Sequence, residues 1–559
     1  MDRKKMEPAR VAREYEAGLR FNTGIELYDT VQTNENFFIG KQWEGVKSNG
    51  LPTPVFNFLK RVVLFSVANV STDNLKLNAK PMPSSGSVPA VVLELFCSVL
   101  NDQFAAIFEQ NQMGGLIREF CRNAAVDGDG CLYTYWDPDT ETGQQSKGSI
   151  RTEVLQNTQV MFGNPNSRDV QSQPHILIER RMLVSEAKKY AKKNGASQHA
   201  IDAIVPDDKE SGDLEMDQLG GEKVTVILRL WKDEDSGTVH GYECTRVAEI
   251  REEWDLGIDL YPLVWMNWDY VQDCYHGQAM ITGLIPNQIF VNKLFAMSMI
   301  SLMTLAYPKV VYDKTKIARW SAKVGAAIGV NGGVDGVAKI IDPASISPQI
   351  SQFIDVAISY TQKFLGASDV ALGDTRPDNT SAIIALQRAA ATPMELTKQN
   401  LLQCLVQQGM IYKAFKAEYY GVRFVEVGLQ QGEKKVVRFD FSMLKHIPCS
   451  IDLDAGASSY WSEIANMQTL DNLLMQNKIP TSEYLRRLPN GQITDRETLI
   501  AITRAAEQGQ MLPTQGLQLP GGQGAPGAAE ATPPLRGGAG YGALQRIINQ
   551  TGQVPKREG

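Results

Sequence analysis

The sequence predicts an α+β chain of several packed units, with long helices through its centre and short strands gathered on either side. Three observations predict this. The 559 residues are 43% apolar and 21% charged, enough for more than one core and too balanced for a collagen-like, coiled-coil or wholly disordered chain. Apolar residues recur at helical spacing through 275–306, 349–365 and 380–420. Around those segments, short runs of β-branched and aromatic residues alternate with polar ones.

Taken in order, residues 1–30 carry Ala, Leu and Met at helical spacing, and 28–43 leads aromatic residues into a loop. Residues 57–70 read as an amphipathic helix, 79–87 as a polar break around Pro81 and Pro83, and 91–126 as helix again. The period changes at Asp127-Gly128-Asp129-Gly130, where a tight turn opens a strand over 131–136 (CLYTYW). Strands are expected at 150–160 and 175–181, a helix at 185–194, an exposed acidic loop at 206–221, and strands at 224–231 and 241–251. A long helix is expected over 275–306, with Ile281, Leu284, Ile285, Ile289, Leu294 and Phe295 to one side and Tyr307-Pro308 as its stop. Short β-like runs (KVVY, AKII) flank a glycine-rich loop at 325–336. In 349–365, Ile350, Phe353, Ile354, Ala357, Ile358, Phe364 and Leu365 make one apolar stripe. A polar loop, 366–379, precedes the pattern over 380–420, capped by Thr380 or Ser381 and kinked at Pro393. Strands at 422–427, 435–441 and 449–453 follow, then a helical block over 458–508 and a tail rich in Gly, Pro, Ala and Gln.

The sequence gives no support for an enzyme: its carboxylates are numerous, but no pairing among them stands out. Gly40-Lys41 is followed by Gln42, so it is no phosphate loop, and 325–336 fits neither nucleotide-binding glycine pattern. Asp127-Gly-Asp-Gly begins like a calcium loop, but Pro138 stands where the bidentate Glu belongs, and a hairpin turn is the favoured reading. No two of the five histidines have metal-ligand spacing. His276 is too near Cys274 in sequence for a catalytic couple, which favours a packed or hydrogen-bonding role. The seven cysteines are scattered without a CxxC pair, so neither disulfides nor zinc are expected and a reducing cytosol is the simplest compartment. The N-terminus has no apolar signal core, and the longest apolar run falls short of the roughly 20 residues a membrane span needs. A net charge of −7 argues against a surface that coats DNA. The expectation is no enzyme, no cofactor, no metal and no membrane insertion. The alternative is a soluble enzyme whose carboxylate-based site cannot be recognised from sequence.

The succession LYPLVWMNWDYVQDCYHGQAMITGLIPNQIFVNKLF, YPKVVYD, the helix 349–365, the loop 366–379 and DNTSAIIALQRAA resembles tailed double-stranded DNA bacteriophage portal proteins, the head-to-tail connectors. DVQSQPHILIERRMLVSEAKKYAKKNG is similar to the strand-then-helix part of a portal wing, and LDNLLMQNKIPTSEYLRRLPNGQITDRETL to the helices ahead of a portal C-terminus. NENFFIGKQWEG adds to the likeness, which covers roughly 30–510 and rests on the order of elements rather than on one motif. Ala382 departs from the family's pattern, which has Gly after Asn-x-Ser.

The resemblance implies a portal-like α+β fold with an α/β wing and N-terminal helices (1–274), stem helices at 275–306 and 349–365, and a small β-containing clip between them (307–348). It further implies a channel loop (366–379), a long channel or wing helix with wing strands (380–457), a helical crown (458–510) and a flexible tail (511–559). The subunit would join a homo-oligomeric ring, typically of twelve, at the capsid portal vertex of the virion, after assembly in the host cytoplasm. Implied partners are double-stranded DNA passing through the channel, terminase, major capsid and scaffolding proteins, and head–tail adaptor proteins. Lys363, Asp369, Asp374, Arg376 and Asp378 would face the DNA channel. Lys314, Lys316, Arg319 and Lys323 would meet the partner at the clip, where six basic side chains stand against three acidic ones over 307–347. Ile350, Phe353, Ile354 and Ile358 would pack one subunit on the next.

Overall fold

The computed structural model describes residues 6–48, 50–71, 75–82, 90–144, 146–207, 222–306, 310–317, 319, 321, 328–340, 349–364, 394–428, 434–455, 460–488 and 496–507. Helix and strand are mixed, and every ladder between the described strands is antiparallel. Two compact units divide the chain, 1–466 and 467–559.

The larger unit opens with α1 (Pro8–Gly24) and α2 (Leu27–Ile39), so most of the expected aromatic loop at 28–43 is helix. The reason is burial: Phe37 and Phe38 enter the main core, and Gly40, at φ 99°, supplies the left-handed residue that ends the helix. Asn57 then caps α3 (Phe58–Val70) by accepting from the Lys60 amide at 3.1 Å, while its Nδ2 donates to the Phe38 carbonyl at 2.9 Å. One side chain thus starts one helix and closes another. Helices α4 (Ala90–Gln110) and α5 (Met113–Asp127) follow.

The expected polar break at 79–87 begins instead inside strand β1 (Leu75–Pro81), which pairs with β14 (Cys449–Ala455). Leu75, Leu77 and Ala79 alternate into the core; Pro81 is tolerated because it is the strand's last residue. A three-stranded sheet is ordered β3 (Ser149–Leu155), β2 (Asp129–Asp137), β9 (Leu263–Asn267). A five-stranded sheet is ordered β4 (Val160–Phe162), β5 (Ile176–Leu183), β6 (Lys223–Lys232), β7 (Val239–Cys244), β8 (Glu249–Asp255). Helix α1 covers one of its faces through Val11 and Tyr15 against Leu177, Ile227 and Tyr242. Helices α6 (Val184–Lys193) and α7 (Gln198–Asp202) pack with Val224, Val226 and Ile250, which alternation places on the other face. Under α1, Arg229 is 3% exposed and forks onto Glu14, Nε to Oε2 at 2.7 Å and Nη2 to Oε1 at 3.3 Å. Burial pushes the Glu14 carboxyl up, but the Arg229 hydrogen bond and charge outweigh it and hold the group below the usual range.

Two helices, α8 (Ile285–Ala306) and α9 (Gln349–Phe364), flank the small hairpin β10 (Val310–Tyr312) and β11 (Ala338–Ile340) in chain order. Helix α10 (Glu395–Tyr419) lies in the core with Leu401, Leu405, Tyr412 and Phe415 buried. Its polar residues are bonded there: Gln408 Nε2 donates to Thr134 Oγ1 at 2.7 Å, and Tyr412 Oη lies 2.8 Å from Thr152 Oγ1. The expected start of this helix, 380–393, lies outside the described residues. A second hairpin, β12 (Val422–Gly428) with β13 (Lys434–Asp440), precedes β14.

Helix α11 (Tyr460–Met475) runs into the smaller unit, which also holds α12 (Thr481–Arg487) and α13 (Arg496–Glu507). Asn477, at φ 53°, closes α11, and the Lys478 amide turns back to the Leu473 carbonyl at 2.9 Å. Tyr484 donates to Asp471 at 2.6 Å, tying α12 to α11. The tail 511–559 lies outside the described residues. No helix among the described residues is long and apolar enough to cross a membrane.

Candidate functional site

Helices α8 and α9 together make an arm, and its first helix, expected over 275–306, does not begin at 275. Residues 275–281 belong to a polar knot, and α8 starts at Ile285 with Pro286 in its first turn. Asp129, fully buried at the start of β2, holds the knot together. Its Oδ1 accepts from Asn267 Nδ2 and from the Gly277 amide, both at 2.7 Å, and its Oδ2 lies 2.7 Å from His276 Nδ1. His276 Nε2 is 3.3 Å from Asn22 Oδ1, which gives the histidine the hydrogen-bonding role its sequence position suggested. The turn at 127–130 joins a helix to a strand and is no hairpin: Gly128, at φ 103°, caps α5. A Cβ on Gly128 would stand 2.7 Å from the Gly277 carbonyl, so the two segments touch because Gly128 lacks a side chain, and a Cβ on Gly277 would in turn meet Asn267 and the Asp269 carbonyl at 2.7 Å.

Above the knot, two polar residues root α8 in the body. Gln288 is fully buried, donates to the Phe56 carbonyl at 2.7 Å and to Asn292 Oδ1 at 2.9 Å, and accepts from the Leu59 amide at 3.4 Å. Asn292 donates to Gln42 Oε1 at 2.6 Å. Phe56 and Phe295 stack one turn further on, with ring centres 3.8 Å apart. The sequence reading passed over this root. Its signal was the polar pair at i, i+4 in an otherwise apolar run, since a buried amide needs partners at both ends.

Beyond Phe295 the environment reverses. Met297 is 58% exposed, and Met299, Leu302 and Met303 are exposed with it. Apolar residues occupy every side of α8, yet its own chain covers only part of it. On α9, Ile354 is buried and Ile350 and Ile358 are half-buried, on the side where Thr361 Oγ1 accepts from Asn287 of α8 at 3.1 Å. Phe353, 58% exposed, falls on a second stripe with exposed Val356 and Tyr360 at i, i+3, i+7. The four residues read from sequence as one packing face therefore divide. Ile350, Ile354 and Ile358 lie on the side toward α8, and Phe353 lies on the outer side.

The β10–β11 hairpin region buries Ile317 and Val337. Asp313 shapes its first turn, accepting from the Thr315 amide at 2.9 Å and the Thr315 hydroxyl at 2.6 Å, bonds that hold its carboxyl below the usual range. Lys314 and Arg319 are exposed and Lys316 is half-buried; Lys323 lies outside the described residues. Lys363 belongs to the last turn of α9, while Asp369, Asp374, Arg376 and Asp378 lie outside the described residues.

No known protein family matches the sequence, and neither does any curated protein. What the arm can do must come from its physical chemistry. Two paired helices, rooted by buried amides and apolar on their outer sides, can bind a further apolar surface of similar length.

Proposed function

We propose that the chain is the subunit of a portal ring: a conduit for double-stranded DNA at one capsid vertex of a tailed bacteriophage, without catalytic activity of its own. The carrying observation is the arm. Its helices α8 and α9 meet along Ile354 and Thr361, yet leave Met297, Leu302, Met303, Phe353 and Val356 exposed on the single chain. Exposed apolar surface of that extent marks an interaction site. The same arm on neighbouring copies would cover it, and repeated head-to-side contacts between identical subunits close into a ring when the rotation allows.

The rest of the proposal follows from the order of elements. A hairpin inserted between the two arm helices supplies the clip, the site for terminase during packaging and for head–tail adaptors afterwards. The body, with its buried α10, supplies wing and channel wall. The overall charge of −7 suits passage of DNA rather than tight binding, because each phosphate neutralised would have to be released again at every step. Native mass spectrometry tests the proposal directly. A closed species of about twelve subunits, with a central hole in stained images, is expected; a stable monomer or dimer at high concentration overturns it.

A further inference from the structure

A cleft far in sequence from the arm lies between α2, α5 and the turn after β3. Within it Arg122 spends its guanidinium on Glu35, Nη1 to Oε1 at 2.5 Å and Nη2 to Oε2 at 2.6 Å, while stacking 5.1 Å from the Phe38 ring centre. Asp127 takes no hydrogen bond from that guanidinium and leans on Glu35 instead. It is 8% exposed, its Oδ2 is 3.8 Å from Arg122 Nη1, beyond hydrogen-bond reach, and its Oδ1 has no hydrogen-bond partner. Asn157 is 1% exposed, donates its Nδ2 to the Asp127 carbonyl at 2.8 Å, and likewise leaves its Oδ1 without a partner. With Glu119 also on the wall, three carboxyl groups face one guanidinium around a cavity of 590 Å³.

Two buried acceptors without donors, in a cleft with excess negative charge, call for a cation that carries N–H groups. A bare metal ion fits poorly. Among the described residues no group of three His, Cys, Asp or Glu could hold one. Val31 and Val154 give the same cleft an apolar edge.

We propose that this cleft binds a primary alkylammonium or alkylguanidinium group, with its N–H donors on Asp127 Oδ1 and Asn157 Oδ1 and its stem along Val31 and Val154. The site stands apart from the ring reading and would survive its failure. Binding is linked to protons. Burial, then the charge of Glu35 and a hydrogen bond with it, push the Asp127 carboxyl up to about 7 against the pull of Arg122. The charged and titratable groups around it are Glu35 and Tyr28 from α2, Glu119 and Arg122 from α5, and Asp129 from β2, backed by His276. Entry of the cation therefore displaces a proton, and affinity rises with pH.

Isothermal titration of the full chain with n-butylamine and with butylguanidine tests this. Saturable heat is expected, with affinity about tenfold higher at pH 8 than at pH 6, as one carboxyl titrating between them requires. Tetramethylammonium, which has no N–H, should give none. Asp127→Asn should weaken binding at least tenfold; Val31→Trp, which fills the cleft from a half-exposed helix position without touching a carboxyl group, should abolish it. Binding in dilute protein that vanishes on concentration assigns the natural occupant to a basic side chain of another copy, whereas binding at both concentrations assigns it to a free amine. No saturable heat with either probe at either pH, or wild-type affinity in a folded Asp127→Asn or Val31→Trp, overturns the proposal.

Discussion

Replacing Phe353 with Ser separates the arm's two faces. In the single chain this side chain is 58% exposed, so the substitution should leave the fold within about 0.5 kcal/mol of wild type. If neighbouring arms cover it, a phenylalanine that buries roughly 150–250 Å² in all has about 100 Å² left to lose at each interface. At about 25 cal/mol per Å² that is roughly 2.5 kcal/mol per contact, or between tenfold and a hundredfold in association constant. Each subunit contributes one Phe353 to one interface, so the concentration for half-assembly should rise by a similar factor. Sedimentation velocity across a dilution series measures that concentration, and circular dichroism checks the dispersed subunit. Ile354→Ser gives the contrast: it removes a buried side chain and should lower the unfolding free energy of the dispersed subunit itself by about 2–4 kcal/mol. Assembly of Phe353→Ser at wild-type concentrations would refute the assignment of the outer stripe.

Other consequences are equally direct. Met297, Met299 and Met303 should oxidise readily in dispersed subunits and be protected after assembly, as peptide mass mapping after peroxide treatment would read; equal oxidation in both states would place the interface elsewhere. Glu14→Gln leaves the buried Arg229 charge without its partner and should cost about 3–5 kcal/mol by denaturant unfolding, while a loss below 1 kcal/mol would mean water reaches the pair. Lys416 is fully buried on α10, its ammonium bonded to Gln103 at 2.9 Å; burial, with Arg423 adding to it, holds it well below the ordinary lysine range. A depressed lysine costs stability as pH falls from its unfolded value, about 10.4, toward its folded one. Lys416→Met should therefore gain on wild type as pH drops below 10, and parallel unfolding curves between pH 7 and 10.5 would contradict the depressed lysine. Asp129→Ala strands the donors of Asn267, Gly277 and His276 together and should lower the melting temperature more than any single surface change, with retained stability counting against the knot.

Local pattern determined much of this molecule. The amphipathic stripe of 349–365, the aromatic alternation of 131–136 and the strand-then-helix run at 175–194 appear in the structure close to where their periods put them, because each buries one face against whatever lies beside it. The helix expected at 275–306 reads as apolar on one side, whereas α8 carries apolar residues all round, with Phe290, Met297, Leu302 and Met303 exposed. What only tertiary structure decided is pairing across the chain. Strand β1 exists because β14, more than 350 residues later, completes its hydrogen bonds; alone, its short run around Lys76, Asn78 and Lys80 reads as loop. Residues 275–281 leave the helical pattern because Asp129 draws the Gly277 amide and His276 into its own bonds. Phe353 and Ile354, adjacent and equally apolar, went to opposite fates once α8 covered one side of α9 and not the other. Periodicity states which residues need burial, whereas the partner that buries them is a property of the folded chain.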